Sequence, residues 1–349
     1  MQLQYFLFSY TLISIATISF ATEYRYPVAC LNNGATIFYI HQHAPMNIEL
    51  FAWNIHTNTI EPILWSLFNP AGLQLLPNDS GFSFIDNGRL RIKSFQKRSP
   101  KTVDFDEPIF NINGLHWIDN DSCYCSGQQG DNFELLLLHN DGTMEYLFKK
   151  NKKDCMYPQK VMNTLFYIER SMIDNIFNYC IMQCNYMVNN CSSQLVINFY
   201  DKPIIFLHML SQEEGFVLEY EQNIESSATT TQFLYHHIIK QSDHWEKELL
   251  FSFYIPINLL LPGEQRIYES LLPLLPQVVE NKVYFVNCVQ NQNNNLEPYY
   301  YDLISKTIKT IIVPKKDGHY FVPMICGDTF YCGGTICPGQ QEPFISFLT

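Results

Sequence analysis

Gly72 to Phe148 repeats one strand-and-turn rhythm twice, and few folds accommodate that rhythm. The first pass predicts strands at Leu73 to Leu76, Gly81 to Ile85, Arg89 to Phe95 and Thr102 to Phe105, with turns at Pro77-Asn78-Asp79 and Asp86-Asn87-Gly88. The second predicts Leu115 to Ile118, Ser122 to Ser126, Phe133 to His139 and Thr143 to Phe148, turning at Asp119-Asn120-Asp121 and Asn140-Asp141-Gly142. Asn-Gly and Asp-Gly tolerate the positive φ of a tight hairpin. Four short strands in roughly 40 to 45 residues, repeated, is the period of a β-propeller blade.

The same reading extends along the chain. Tyr26 to Trp65 gives a first blade. After the two opening repeats comes a less regular fourth, with inner strands at Thr164 to Glu169 and Ile176 to Gln183, an outer strand at Gln194 to Tyr200, and an obscure strand around Asn185 to Ser192. Pro203 to Tyr254 gives a fifth blade and Leu274 to Val313 a sixth. Pro256 to Ser270 interrupts them as a short helix or connecting arm. A seventh starts at His319 with three strands, at Tyr320 to Ile325, Thr329 to Tyr331 and Phe344 to Leu348. Its missing strand is expected from Thr22 to Tyr26, since an open ring would leave two edges unpaired. The expectation is an all-β chain, a single propeller of four-stranded antiparallel blades, seven in number, or six if the irregular fourth merges with a neighbour.

Residues 1–21 stand apart. Tyr5 to Phe20 is free of charge, and Ser19-Phe20-Ala21 offers small residues where a signal peptidase reads. This predicts a secretory signal over 1–21 and a propeller domain over 22–349, in a secreted or periplasmic protein. The leader has no Lys or Arg at its start, so an uncleaved anchor is the alternative. No later apolar segment is long enough to span a bilayer. The net charge of −12 argues against a nucleic-acid partner, which needs a clustered basic face. The basic runs at Lys93, Lys97, Arg98 and Lys101 and at Lys149, Lys150, Lys152 and Lys153 read as solvated loops.

Eleven cysteines suit an exported chain. Cys180, Cys184 and Cys191 lie close together, as do Cys326, Cys332 and Cys337, and a disulfide within each group is expected. Cys123 and Cys125 share a face of one strand and read as filling between blades. A zinc site would need a second pair at ligand spacing, which the sequence lacks.

The phrase from Leu76 through Pro77-Asn78-Asp79-Ser80-Gly81-Phe82-Ser83-Phe84-Ile85-Asp86-Asn87-Gly88-Arg89 to Leu90 resembles the repeat of TolB-like, WD-repeat-like propellers, in which a Pro-Asp-Gly type turn leads into an aromatic strand and an Asp-Gly hairpin. The third blade departs from it, with Asp119-Asn120-Asp121 at the Pro-containing turn. The resemblance implies a periplasmic or secreted scaffold that binds other proteins.

No residue is assigned a catalytic, cofactor-binding or metal-binding role, and no cofactor is expected. Asn140-Asp141-Gly142-Thr143 is the nearest match to a sialidase Asp box and reads as a hairpin turn. Asp86, Asp104, Asp106, Glu169 and Asp328 are the carboxylates a glycosidase would need in facing pairs, and each reads as a turn or surface residue. His41 and His43 share one face and read as packing or surface side chains, while His236 and His237 face opposite sides of a strand. Trp53, Trp65, Trp117 and Trp245 read as packing between blades. These readings lead to a non-catalytic monomer, not an enzyme, that holds a protein or peptide at a channel mouth or rim, with a glycan-binding or glycoside-hydrolysing propeller as the rival.

Overall fold

The computed structural model describes residues 24–348 except 32–34, 45–46, 68–70, 87–88, 98, 106–109, 130–131, 149–152, 175, 186–192, 222–228, 260–273, 290–294, 314–318, 323, 327–328 and 336–344. The chain divides into two compact units, Met1–Asn69 with Pro314–Thr349, and Pro70–Val313. The leader lies outside the described residues, as do Asp106, Asp328 and Asn87-Gly88. Among the described residues no helix is long and apolar enough to cross a membrane.

In the first unit, β1 (Tyr24–Leu31), β2 (Thr36–Ala44), β3 (Asn47–Asn54) and β4 (Thr59–Leu67) form an antiparallel meander, the first blade. The edge of β1 carries β27 (Gly334–Thr335), with Tyr24 opposite Thr335 and Arg25 opposite Gly334. This reverses the expected closure. Tyr24 to Tyr26 pair with β2, from Gln42 to Ile40, so the N-terminal residues build their own blade and a C-terminal strand is added to it. The approach is close: a Cβ on Gly333 would stand 2.3 Å from the Arg25 carbonyl oxygen, which only glycine avoids. The three strands expected near the C-terminus form a separate sheet of β25 (Met324–Cys326), β26 (Thr329–Cys332) and β28 (Ile345–Leu348). Ile37, Tyr39 and Trp53 pack with Met324 and Tyr331.

The second unit holds five four-stranded antiparallel sheets. Blade two is β5 (Ala71–Leu75), β6 (Gly81–Asp86), β7 (Arg89–Ser94) and β8 (Lys101–Thr102), and blade three is β9 (Phe110–Trp117), β10 (Ser122–Gln129), β11 (Asn132–His139) and β12 (Met144–Tyr146). Both follow the repeat read from the sequence. Blade four contains β13 (Asp154–Val161), β14 (Thr164–Ile173), β15 (Ile176–Asn185) and β16 (Gln194–Tyr200). Here the expectation is corrected, because the strand absent from the sequence reading is the first and the strands read as inner are the second and third. Pro158 and a bulge between Met156 and Gln159, with Tyr157 at φ 52°, break the alternation of β13. Proline fits there because β13 is an edge strand.

Blade five is β17 (Ile204–Met209), β18 (Glu214–Glu221), β19 (Thr230–Gln241) and β20 (His244–Pro256), and blade six is β21 (Gln277–Val279), β22 (Lys282–Cys288), β23 (Leu296–Asp302) and β24 (Thr307–Thr310). Between them only a 3-10 turn at Ile257–Leu259 belongs to the described part of the expected arm. Counting blade one, whose four-stranded meander β27 extends to five, six blades and one three-stranded sheet are present among the described residues.

The core of the second unit lies between blades, because alternate residues of each strand face opposite neighbours. Cys123 and Cys125 pack with Ile85 and Leu90 between blades two and three. Tyr167 meets Tyr124 and Leu137 between three and four. Val217 and Ile238 meet Phe199 and Ile181 between four and five. Phe251 of β20 stacks on Phe285 of β22 at 4.2 Å between five and six. Burial of one such ring stabilises by about 1.5–3 kcal/mol.

Candidate functional site

Second strands of the blades share a pattern: a short, mostly apolar run that ends on a polar sixth residue. Thr36-Ile37-Phe38-Tyr39-Ile40 ends on His41, Gly81-Phe82-Ser83-Phe84-Ile85 on Asp86, Thr164-Leu165-Phe166-Tyr167-Ile168 on Glu169, Glu214-Gly215-Phe216-Val217-Leu218 on Glu219, and Lys282-Val283-Tyr284-Phe285-Val286 on Asn287. In β10 the position is Gly127. In the second unit these residues lie at the blade end where the chain crosses from one blade to the next.

Two of them are buried acids, and each is met by a lysine from that crossing. Lys153 Nζ, just before β13, donates to Glu169 Oε1 at 2.6 Å. Lys202 Nζ, just before β17, stands 3.1 Å from Glu219 Oε1. Both carboxylates are almost fully enclosed, at 6% and 2% exposure, whereas the lysines are 46% and 48% exposed. Enclosing a carboxylate is costly unless a cation answers it. The third, Asn287, accepts from the Tyr254 backbone N–H at 2.9 Å and so ties blade six to blade five.

Glu219 has a second neighbour. His236 Nε2 stands 3.1 Å from Glu219 Oε2, and the imidazole packs edge-on against Phe199 at 5.9 Å. The contact is close but off hydrogen-bond geometry, and His236 Nδ1 has no hydrogen-bond partner. Lys247 Nζ lies 4.1 Å over the Phe199 ring. Burial pushes the Glu219 carboxyl up, but His236 and Lys202 outweigh it and hold the group below the ordinary glutamate value. The Lys202 ammonium is raised in turn, first by its contact with Glu219.

His236 and His237 point to opposite faces, and each has its own acid, since His237 Nε2 lies 2.9 Å from Glu214 Oε1. Beside Glu169, Asp154 and Arg170 form a further ion pair at 2.8 Å, and Arg170 lies 4.6 Å over the Phe177 ring. Of the carboxylates singled out from the sequence, Glu169 belongs to this cluster and Asp104 is exposed away from it. Glu219 and Lys202 escape the sequence reading, which has Lys153 only as a solvated loop charge. The signal was there, in a Lys that precedes a Glu by nearly the same offset in two successive blades. His41 is buried, 6.3 Å from the Phe51 ring. Asn140 to Thr143 is a plain turn, with Asp141 Oδ1 accepting from the Thr143 amide at 2.8 Å and the Gly142 φ at 99°. Trp53 donates to Asn58 and Trp117 to Ser83, while Trp245 meets Phe166 edge-on.

Cysteines depart from expectation. Cys123, Cys125, Cys155, Cys180 and Cys288 are buried free thiols, Cys184 and Cys332 are buried as well, and Cys30 is disulfide-bonded. Cys180 and Cys184 lie four residues apart on one strand, about 13 Å, too far for a bridge. Among the described residues no group of three or more His, Cys, Asp or Glu side chains is placed to hold a metal ion.

Similarity to solved structures accords with this geometry. The puromycin-hydrolyzing peptidase of Mycobacterium tuberculosis matches 90% of this chain with a TM-score of 0.60 and 9% identity. The fold is a β-propeller. This chain spans about half, 49%, of the length of that peptidase. Oligogalacturonate lyase from Vibrio parahaemolyticus matches over 92% of both chains, with a TM-score of 0.54 and 9% identity. TolB from Acinetobacter baumannii matches 62% of this chain and 52% of its own, with a TM-score of 0.43 and 11% identity. No family model matches the chain, and no curated protein does. The expectation of a non-catalytic scaffold that is not an enzyme is therefore corrected. The propellers matched over nine-tenths of this chain come from a peptidase and a lyase.

Proposed function

We propose that this propeller serves a peptide-cleaving enzyme, as the part that receives the peptide at the blade end bearing Lys153 and Lys202. The observation that carries the reading is the pair of half-exposed ammonium groups, each fixed in place by a buried carboxylate. Cations held so that they need not reorganise are suited to carboxylates and carbonyls of an extended chain. Similarity to the peptidase propeller supports the same reading. The test is to incubate the purified chain with a peptide library, following cleavage by mass spectrometry and binding by calorimetry. Peptide binding or cleavage weakened at least tenfold by Lys153→Ala with Lys202→Ala is the expected result. Peptides neither bound nor cut would sink it.

A second reading is favoured by one observation, the match to oligogalacturonate lyase over nearly the full length of both chains. The same lysines would then meet the carboxylates of an acidic sugar polymer. Oligogalacturonate added in the same assay, with its unsaturated product as readout, separates the two.

We also propose that residues 1–21 are a secretory signal and that 22–349 are the exported propeller, in the periplasm or outside the cell. The charge-free run from Tyr5 to Phe20 and the disulfide at Cys30 support this. Sequencing the N-terminus of the protein recovered from its native source tests it: a first residue near Thr22 is expected, and Met1 would overturn it.

A further inference from the structure

The two lysine–glutamate crossings differ at one matching position. In blade four, Tyr167, two residues before Glu169, lies opposite Met182. In blade five, Val217, two residues before Glu219, lies opposite His236. A side chain that never ionises thus stands in one blade where an imidazole stands in the other. His236 is enclosed, at 8% exposure, with Nε2 3.1 Å from Glu219 Oε2. Its Nδ1 is buried without a hydrogen-bond partner.

The difference is one of charge. Glu169 and Lys153 sum to zero, as do Asp154 and Arg170 beside them. Glu219 and Lys202 also sum to zero while the imidazole is neutral, but a proton on His236 leaves this group with one net positive charge. Histidine is the side chain whose charge changes between about pH 5 and 8. Charged groups reach it from three packed segments. β18 supplies Glu219, and the segment before β17 supplies Lys202, on which Asp201 and Glu221 also act. β20 supplies Lys247, 4.1 Å over the Phe199 ring that His236 packs against. Glu219 favours the imidazolium, and the two lysines oppose it.

We infer that His236 is a positioning residue that sets the charge of the blade-five site, so that a carboxylate ligand is held in acid and released as pH rises. The imidazolium shares the negative charge of Glu219 and leaves the Lys202 ammonium less neutralised. That ammonium, 48% exposed, is where the ligand meets the excess charge. With Met182 at the matching position, Lys153 undergoes no such change. The ligand's identity as a peptide rests on the reading above, whereas the charge change does not.

Carbon-13 NMR of the ligand-free chain tests the charge change alone. The Glu219 carboxyl signal, assigned by its loss in Glu219→Gln, is expected to shift between about pH 5 and 8, while that of Glu169 stays level. His236→Met, which copies blade four, and His236→Asn are each expected to abolish the shift. A wild-type signal that does not move overturns the inference, whatever the variants do. Calorimetry with a glutamate-rich peptide tests the consequence. Binding about tenfold tighter at about pH 5.5 than at about pH 8 is expected, lost in His236→Met and kept in His237→Gln. Binding that does not strengthen on acidification overturns the inference. A carboxyl shift with no peptide bound at either pH sinks the peptide reading and upholds the charge change.

Discussion

Glu169 lies directly across the strand pair from Cys180, and the Cys180 thiol stands 3.8 Å from the Glu169 carboxylate. Burial pushes the Cys180 thiol up to about 11, and the charge of Glu169 adds to the rise. Only the thiolate is nucleophilic. Cys180 in the folded protein is therefore expected to resist alkylation at pH 8 and to react on unfolding, as read by mass spectrometry. Glu169→Gln removes the second cause and leaves the first, so alkylation quickens but stays slower than in the unfolded chain. Rapid modification of native Cys180 would contradict the enclosed site.

The Lys202, Glu219 and His236 contacts predict a pH effect of definite sign. Glu219 is held below its ordinary value of 4.5, so its contribution to stability is present above that value and is lost as pH falls through the lowered one. Thermal melts of the wild type are expected to lose stability on acidification below about pH 4.5, and Glu219→Gln to flatten that slope. A slope unchanged in the variant would mean that other groups govern acid unfolding.

Lys202→Met leaves the Glu219 carboxylate enclosed with only His236 beside it. Removal of one partner of a buried pair costs about 3–5 kcal/mol, and the half-exposed lysine places the expected loss at about 3 kcal/mol or below. Chemical denaturation measures it. A loss within error of zero would show that the carboxylate finds water instead.

At Gly142, with φ at 99°, a Cβ would stand 2.5 Å from the Asp104 carbonyl oxygen. Gly142→Ala is expected to destabilise by about 1–3 kcal/mol from backbone strain, with the Asp104 segment shifting. The midpoint of urea unfolding checks this.

Phe285 contacts Phe251 and Phe253 of blade five and Tyr299 of its own blade. Phe285→Ala is expected to cost about 3–5 kcal/mol, since rings from two blades line the cavity it leaves. Phe285→Leu is expected to cost less. Equal losses in both would point to a role other than filling space.

Local signals made much of the architecture legible. Asn140-Asp141-Gly142 placed one hairpin, and the alternation of Arg89 to Phe95 and the apolar run within Phe133 to His139 placed two third strands. β13 was hidden because Pro158 and the bulge at Tyr157 erase its period of two. Edge pairing was hidden for another reason, since which chain end supplies a strand depends on backbone approach at Gly333 and not on side-chain pattern. Lys153, which meets Glu169, reads as a loop charge, and Lys202, which meets Glu219, draws no notice, because an ammonium half in water looks, in a sequence, like any solvated one. Their pairing became visible only when two crossings could be laid side by side.

The seam between β1 and β27 has a bearing on how the chain is made. Tyr24 and Thr335 are paired neighbours, and the whole of the second unit is translated between them. Blade one must wait through translation of the second unit for the strand that pairs with β1, while the five blades of the second unit are already complete in sequence. During that interval the β1 edge is bare and open to wrong pairing. A ribosome that stalls before Gly333 would release a chain with its second unit whole and its first unfinished.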